Sequence, residues 1–264
     1  MKFLLIGNGF IVPVHKEAIK SIGGEIIDII DKNQGEEKWK EEVKKTDADC
    51  IVILTPNDLH FKMAKFSAES GKIVLCEKPL VIKSEHARIL AEKPNIYTVL
   101  QLRHHPLVKK LKSEIRKDKN YKIEMDISVY RDEKYYKSWK GIEERSGGLL
   151  FNLGIHYFDL LLYLFGKEKK VTTLTLSEKT GTGIIGGNNY MCSWRVSTDE
   201  RRDNQRRIFK INNVNYNFSS QDNLSYANLH KFIYQDLLKG RGITPQEVLR
   251  SIELVEKLYA VSEK

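Results

Sequence analysis

The chain opens on an apolar run, Lys2-Phe3-Leu4-Leu5-Ile6, that reads as a buried parallel strand. The turn Gly7-Asn8-Gly9-Phe10-Ile11-Val12 follows, then a helical stretch through Ala18 and Ile19. Residues 25–30 form a second strand ending at Asp31, and residues 36–45 a short charged helix. Residues 50–54 are again a buried strand, ending at Thr55-Pro56-Asn57-Asp58-Leu59-His60. Asn57 or Asp58 is placed to cap a helix that runs to Ser70, where Gly71 stops it. Residues 72–76 make a further strand closed by Glu77-Lys78-Pro79-Leu80; Ser84 caps the next helix, and residues 96–100 form the last strand of this half. Strands alternating with helices predict a Rossmann-type, doubly wound parallel sheet over residues 1–103.

After a helix over residues 106–117 the period changes. Residues 121–130 alternate, as in an antiparallel strand. A polar, aromatic loop (Tyr135, Tyr136, Ser138, Trp139, Lys140, Gly141) leads to Ser146-Gly147-Gly148 and an almost wholly apolar helix. Residues 171–176, 184–196, 206–211 and 214–218 read as strands, with Asn212-Asn213 as a hairpin turn. Residues 224–238 and 245–259 are amphipathic helices around Gly240-Arg241-Gly242. Residues 104–264 are therefore expected to form an α+β domain with a large, mainly antiparallel sheet. It would bind substrate and make the contacts of a homodimer or homotetramer, with the C-terminal helix packing back on the first domain.

Composition narrows the picture. An apolar content of 41% in 264 residues supports an ordinary globular core. The net charge of +9 is spread along the chain as a solvated surface, which favours anionic ligands such as phosphates. The basic residues show no aromatic-interleaved patch, so nucleic acid is disfavoured. Cys50, Cys76 and Cys192 are odd in number and lack metal-ligand spacing, a pattern of reduced thiols in a cytoplasmic protein with no metal site. Met1-Lys2 leads straight into a strand with no secretory segment, and the longest apolar run, residues 160–165, is too short to cross a bilayer.

Two stretches point to chemistry. A strand, a glycine turn and a helix are the context of a dinucleotide fingerprint. Gly7 permits the tight turn and Gly9 lets the backbone approach a pyrophosphate, while Val12 replaces the third glycine. Asp31 lies about 20 residues past the glycines, placed to accept from an adenosine ribose hydroxyl and to favour NAD over NADP; it also reads as a cap or turn residue. In the apolar helix, Asn152 and His156 are four apart and so share a face. An imidazole there suits proton transfer from a bound hydroxyl, although taken alone the stretch reads first as a core histidine.

Glu77-Lys78-Pro79 after a buried strand, Gly147-Gly148 through Asn152 and His156, and Thr55-Pro56-Asn57 with His60 together resemble the Gfo/Idh/MocA family of NAD(P)-dependent sugar oxidoreductases. Within it, residues 100–105, 137–141 and 151–159, Leu229-His230 and residues 239–243 look like the nucleotide-sugar 3-dehydrogenases of the WlbA/WbpB type. The resemblance implies oxidation of the 3-hydroxyl of a UDP-N-acetylhexosamine, UDP-GlcNAc or its uronate, with NAD as cofactor. The 3-keto product would pass to a PLP aminotransferase that makes amino sugars for surface polysaccharides. Two features depart from the family. The stretch from Asp31 to Cys50 is too short for the usual helix and strand, and residues 197–207 are compact and arginine-rich.

Carried onto this chain, His156 is the expected general base. Lys78 would stabilise the developing alkoxide or orient the nicotinamide ribose, and Asn152 would hold the sugar in register. Backbone N–H groups of Gly7, Gly9, Phe10 and Ile11 would cradle the pyrophosphate. Thr55, Pro56, Asn57 and His60 would line the nicotinamide-side ribose and phosphate. Glu77 and Gln101 would bond the nicotinamide end, and Trp139 would close over the cofactor. Arg103, Lys140 and the Arg206-Arg207 pair are candidates for the diphosphate or a uronate carboxylate, with His104 and Tyr136 also at the substrate. Taken one by one, each of these cations reads first as a solvated surface charge. Two rivals stand beside this reading: a dehydrogenase of a free sugar or cyclitol, and a catalytically silent NAD-binding protein.

Overall fold

The N-terminal strands carry few polar side chains, so both their faces must be covered, and the chain covers them with helices. A computed structural model describes residues 1–31, 35–218 and 227–262. The elements run β1 (Lys2–Ile6), α1 (Val12–Ser21), β2 (Glu25–Ile30), α2 (Glu36–Lys45), β3 (Cys50–Ile53), α3 (Asn57–Glu69), β4 (Ile73–Cys76), α4 (Ser84–Ala91) and β5 (Ile96–Thr98). The strands pair in parallel in the order β2-β1-β3-β4-β5. The order reverses between β1 and β3, and in such sheets that switch point is where ligands bind. Among the described residues, α2 alone separates β2 from β3, in keeping with the shortened stretch after Asp31. Pro56 precedes α3 and Lys83 precedes α4, so Asn57 and Ser84 are first helical residues instead of the expected caps.

The later elements are α5 (Pro106–Glu114), β6 (Tyr121–Ser128), α6 (Glu133–Lys137), α7 (Glu143–Ser146), α8 (Ile155–Phe165), β7 (Glu168–Leu176), β8 (Thr180–Gly187), β9 (Tyr190–Ser197), β10 (Arg206–Ile211), β11 (Val214–Asn215), α9 (His230–Leu237) and α10 (Pro245–Ala260). Their sheet has the order β11-β10-β6-β9-β8-β7, with only β6 and β9 parallel. The predicted single strand over 184–196 is a hairpin of β8 and β9, because the chain turns between Gly187 and Tyr190. Asn212 and Asn213 have φ of 48° and 69°, as a tight hairpin turn requires.

The chain divides into Met1–Gln101 with Ala227–Leu249, and Leu102–Tyr226 with Arg250–Lys264. This differs from a second domain spanning 104–264, since Ala227–Leu249 groups with the first unit. The reason is packing: Ile233, Tyr234 and Leu237 of α9 share one core with Phe3, Leu5, Val12 and Ile19. Residues 224–226 of the predicted helix 224–238 lie outside the described residues. The helical run Glu143–Phe165 is, against the sequence expectation, long and apolar enough by length and composition to cross a bilayer. Yet 72% of its most apolar stretch is buried inside the protein, the situation of a core helix.

Candidate active site

In the first unit the carboxyl ends of β1, β3 and β4 lie side by side. Gly7 has φ of 111°, and a Cβ there would sit 2.6 Å from the Leu54 carbonyl oxygen, so only glycine fits. Its N–H donates to the Ile30 carbonyl at 2.8 Å, which removes it from the predicted set of phosphate donors. Gly9 is different: a side chain there would meet no atom within 4 Å. Phe10 beside it is 76% exposed, and Ile11 caps α1. The turn thus leaves room against the first turn of a helix, where a cofactor phosphate would be held. Asp31 is half-buried just past β2.

Thr55 and Asn57 are buried at the end of β3. The Thr55 hydroxyl turns inward to Met63 Sδ at 3.5 Å. His60 is fully buried, with Nδ1 2.8 Å from the Pro79 carbonyl and Nε2 2.9 Å from the Thr55 carbonyl. Burial pushes its pKa down, against the pull of those two carbonyls. A neutral ring donates to only one of them. His60 therefore ties the Thr55-Pro56 turn to the Lys78-Pro79 turn, and both its nitrogens face protein carbonyls in place of the predicted cofactor. The Lys78-Pro79 peptide is cis. Glu77 Oε2 accepts the Lys78 N–H at 3.0 Å, and Oε1 lies 2.9 Å from His15 Nε2. Gln101 is 8% exposed, and among the described residues its Oε1 meets no hydrogen-bond donor.

In the second unit Gly147 and Gly148 both have positive φ, 77° and 74°. A Cβ on Gly148 would sit 2.5 Å from the Tyr259 hydroxyl, which itself accepts the Leu150 N–H at 2.9 Å. Leu150–Gly154 then forms a π turn, so Asn152 stands in a wider coil than the regular helix expected, and His156 in the first turn of α8. His156 is buried. The Asn152 amide donates to the Tyr135 hydroxyl at 2.9 Å and the Lys140 carbonyl at 3.3 Å. Trp139 lies in the short turn Trp139–Gly141, with the Lys140 ammonium 5.9 Å from its ring centroid. Tyr136 donates to Thr198 Oγ1 at 3.0 Å. Tyr135, Tyr136, Lys140, Glu143, Gly148 and Tyr259 line part of a cavity of about 490 Å³. Burial, helped by Arg131, pushes the Lys140 pKa down.

Two predicted anion binders are committed to internal carboxylates. Arg103 donates to both oxygens of Asp159, from Nε at 2.8 Å and Nη2 at 2.6 Å. Arg206 pairs with Asp126 at 2.9 Å and Glu200 at 2.8 Å. His104 is buried beside Arg103. Sequence reasoning passed over His15 and Tyr234. The signal for His15 was present: it stands in the buried phase of α1 with Val12, Ala18 and Ile19.

A parallel sheet with a glycine turn at its switch point, followed by an α+β unit, defines a two-unit dinucleotide-type oxidoreductase. The chain belongs to the Gfo/Idh/MocA family of oxidoreductases. Residues 1–100 match its NAD-binding Rossmann fold and residues 118–183 its C-terminal alpha/beta domain. Among solved structures, the WlbA (WbpB) dehydrogenase of Thermus thermophilus in complex with NAD and UDP-GlcNAcA is 28% identical, at a TM-score of 0.84 covering 98% of this chain and 94% of that one. The same enzyme with NAD and alpha-ketoglutarate aligns at a TM-score of 0.85. The scyllo-inositol 2-dehydrogenase (NADP(+)) IolW of Bacillus subtilis is 26% identical over 145 residues, which is 52% of this chain and 40% of IolW. The inositol 2-dehydrogenase of Rhizobium meliloti is 26% identical over 210 residues, which is 72% of this chain and 62% of that enzyme. The chain thus spans about half the length of these curated relatives.

Proposed function

We propose that this protein is an NAD-dependent dehydrogenase that oxidises the 3-hydroxyl of a UDP-N-acetylhexosamine, UDP-GlcNAc or its uronate. The observation that carries the cofactor half is the contrast between Gly7, which only glycine fits, and Gly9, which faces open room at a helix start. The buried Gln101 Oε1 without a donor supports it, being placed to accept from a carboxamide such as that of nicotinamide. The likeness to the Thermus enzyme over nearly the whole chain supports the substrate half. Bound NAD would supply the hydride acceptor.

The residues divide the remaining work. Backbone N–H groups of Gly9, Phe10 and Ile11 hold phosphate, and Asp31 accepts from a ribose hydroxyl. His156 takes the proton of the reacting hydroxyl. Lys78 stabilises the negative charge that develops on that oxygen. Asn152, anchored to Tyr135 and Lys140, keeps the sugar in register. We place the protein in the cytoplasm, in line with its three free, buried cysteines. A homodimer or homotetramer through the open face of the second sheet fits the exposure of Leu174 and Met191, 63% and 57%. A PLP aminotransferase would consume the 3-keto product.

The inositol dehydrogenases among the relatives favour a second reading, oxidation of a free cyclitol. One assay separates the two: appearance of the reduced-nicotinamide absorbance with UDP-GlcNAc, UDP-GlcNAc uronate, myo-inositol or scyllo-inositol. Turnover of the UDP-sugars that is lost in His156→Ala, with NAD binding kept, is the expected result. Turnover of inositols alone would replace the substrate. No turnover and no heat stabilisation by NAD would leave a catalytically silent protein.

A further inference from the structure

Glu77 closes β4 just before Lys78, and a buried chain of rings stands behind it. His15 and Tyr234 are fully buried, and His230 is 2% exposed. His15 Nε2 lies 2.9 Å from Glu77 Oε1, and His15 Nδ1 lies 2.7 Å from the Tyr234 hydroxyl. His230 Nε2 is 3.5 Å from the same Glu77 oxygen, and the two imidazoles meet edge-on at 5.0 Å. The other carboxylate oxygen accepts the Lys78 N–H.

The proton positions follow from these contacts. An ionised carboxylate only accepts, so His15 Nε2 carries a hydrogen toward Glu77. Burial pushes the His15 pKa down more than Glu77 raises it, which leaves the ring neutral. A neutral ring with its hydrogen on Nε2 keeps Nδ1 as an acceptor, and the Tyr234 hydroxyl must then donate to it. Burial pushes Glu77 up, but the hydrogen bond from His15 and the nearby His230 imidazole prevail and hold it well below the usual carboxylate range.

We infer that His15 and Tyr234 are positioning residues for the Glu77-Lys78 turn: Tyr234 orients His15, His15 clamps the Glu77 carboxylate, and that carboxylate fixes the backbone of Lys78. The catalytic consequence rests on the dehydrogenase reading, whereas the hydrogen-bond chain does not. The donor atoms of His15, Glu77 and His230 lie within 4.8 Å of one another, close enough to hold a divalent cation. Such an ion would need the Nε2 lone pair of His15 and so its hydrogen on Nδ1, the opposite tautomer.

The first test is nitrogen-15 histidine NMR on the full chain near neutral pH, before and after adding zinc, with elemental analysis of the purified protein. The clamp requires the Nε2–H tautomer at His15, undisturbed by zinc. An Nδ1–H tautomer, or metal in stoichiometric amount, would overturn it. The second test is kinetic. A shift of about 1 Å in a distant support costs on the order of 10²-fold in rate, so His15→Leu should lose that much in kcat with little change in the Kd for NAD. His15→Gln keeps a donor toward Glu77 and should recover most of the loss. Should His15→Leu fail to fold, Tyr234→Phe carries the test, with a smaller fall in kcat and a looser tautomer preference. A uniform loss in all three variants, unrescued by glutamine, sinks the positioning role. The Nε2–H tautomer in a protein with no dehydrogenase activity would keep the clamp and remove the proposed reaction.

Discussion

Asp159 offers the sharpest test of how the second unit holds its central helix. It is 1% exposed and accepts three hydrogen bonds: two from Arg103, and one from the Ser251 hydroxyl at 2.7 Å. Arg103 is itself 9% exposed, with its guanidinium 5.0 Å from the Tyr163 ring centroid. Asp159→Ala removes both carboxylate bonds from a buried guanidinium, and breaking a buried pair from one side costs about 3–5 kcal/mol. Ser251→Ala removes one bond to a charged acceptor that keeps its other two, at about 1.5 kcal/mol. The double change Asp159→Leu with Arg103→Met removes both charges and should be far milder than either single change. Guanidinium unfolding of the parent, Asp159→Leu, Arg103→Met and the double variant gives the cycle, with Asp159→Ala and Ser251→Ala measured beside it. Hydrogen exchange in residues 155–165 localises the effect, because a chain of two units need not unfold in one step. Under the proposed role of His156, which α8 carries one turn before Asp159, activity should fall in Asp159→Ala below the unfolding midpoint as well. Asp159→Ala within about 1 kcal/mol of the parent, or single effects that simply add, would refute the reasoning.

Three further outcomes are expected. Gly7→Ala should destabilise the first unit by about 2–4 kcal/mol, from positive φ and the contact with Leu54, whereas Gly9→Ala should leave the melting temperature unchanged and weaken NAD binding about tenfold; equal effects on both would remove the phosphate cradle. His15 and His60 are buried with lowered pKa, so below about pH 6.5 the unfolded chain takes up protons that the folded chain does not, and stability should be intact above that pH and fall beneath it by up to about 1.4 kcal/mol per unit per histidine. Urea midpoints that stay flat between about pH 7.5 and 5.5 would contradict this. Burial pushes the thiols of Cys50, Cys76 and Cys192 far up, so all three should resist a thiol reagent at mildly alkaline pH in the folded chain and react once it is unfolded.

What the sequence made legible is what local pattern decides. The wholly buried β3 announces a parallel strand, and Asn212-Asn213 announces a hairpin, because each signal sits within a few residues of its effect. The same locality explains the misreadings. An amphipathic helix such as α9 shows that it has a buried face, but not which sheet will cover it; here three of its residues join α1. The two asparagines after Gly187 were absorbed into a longer strand, although the buried positions shift from odd numbers in β8 to even numbers in β9 across them.

Charged residues were the hardest to assign, since a motif shows the charge and hides the partner. Arg103 and Asp159 are 56 positions apart, and Arg206 and Asp126 are 80 apart. In a chain with a surplus of nine positive charges, an arginine invites an anion-binding role, yet these two face internal carboxylates. Lys140 is in a different position. It lines the cavity of the second unit, and both its burial and its neighbour Arg131 disfavour its charge. A negative group brought into that cavity would offset both effects at Lys140 at once.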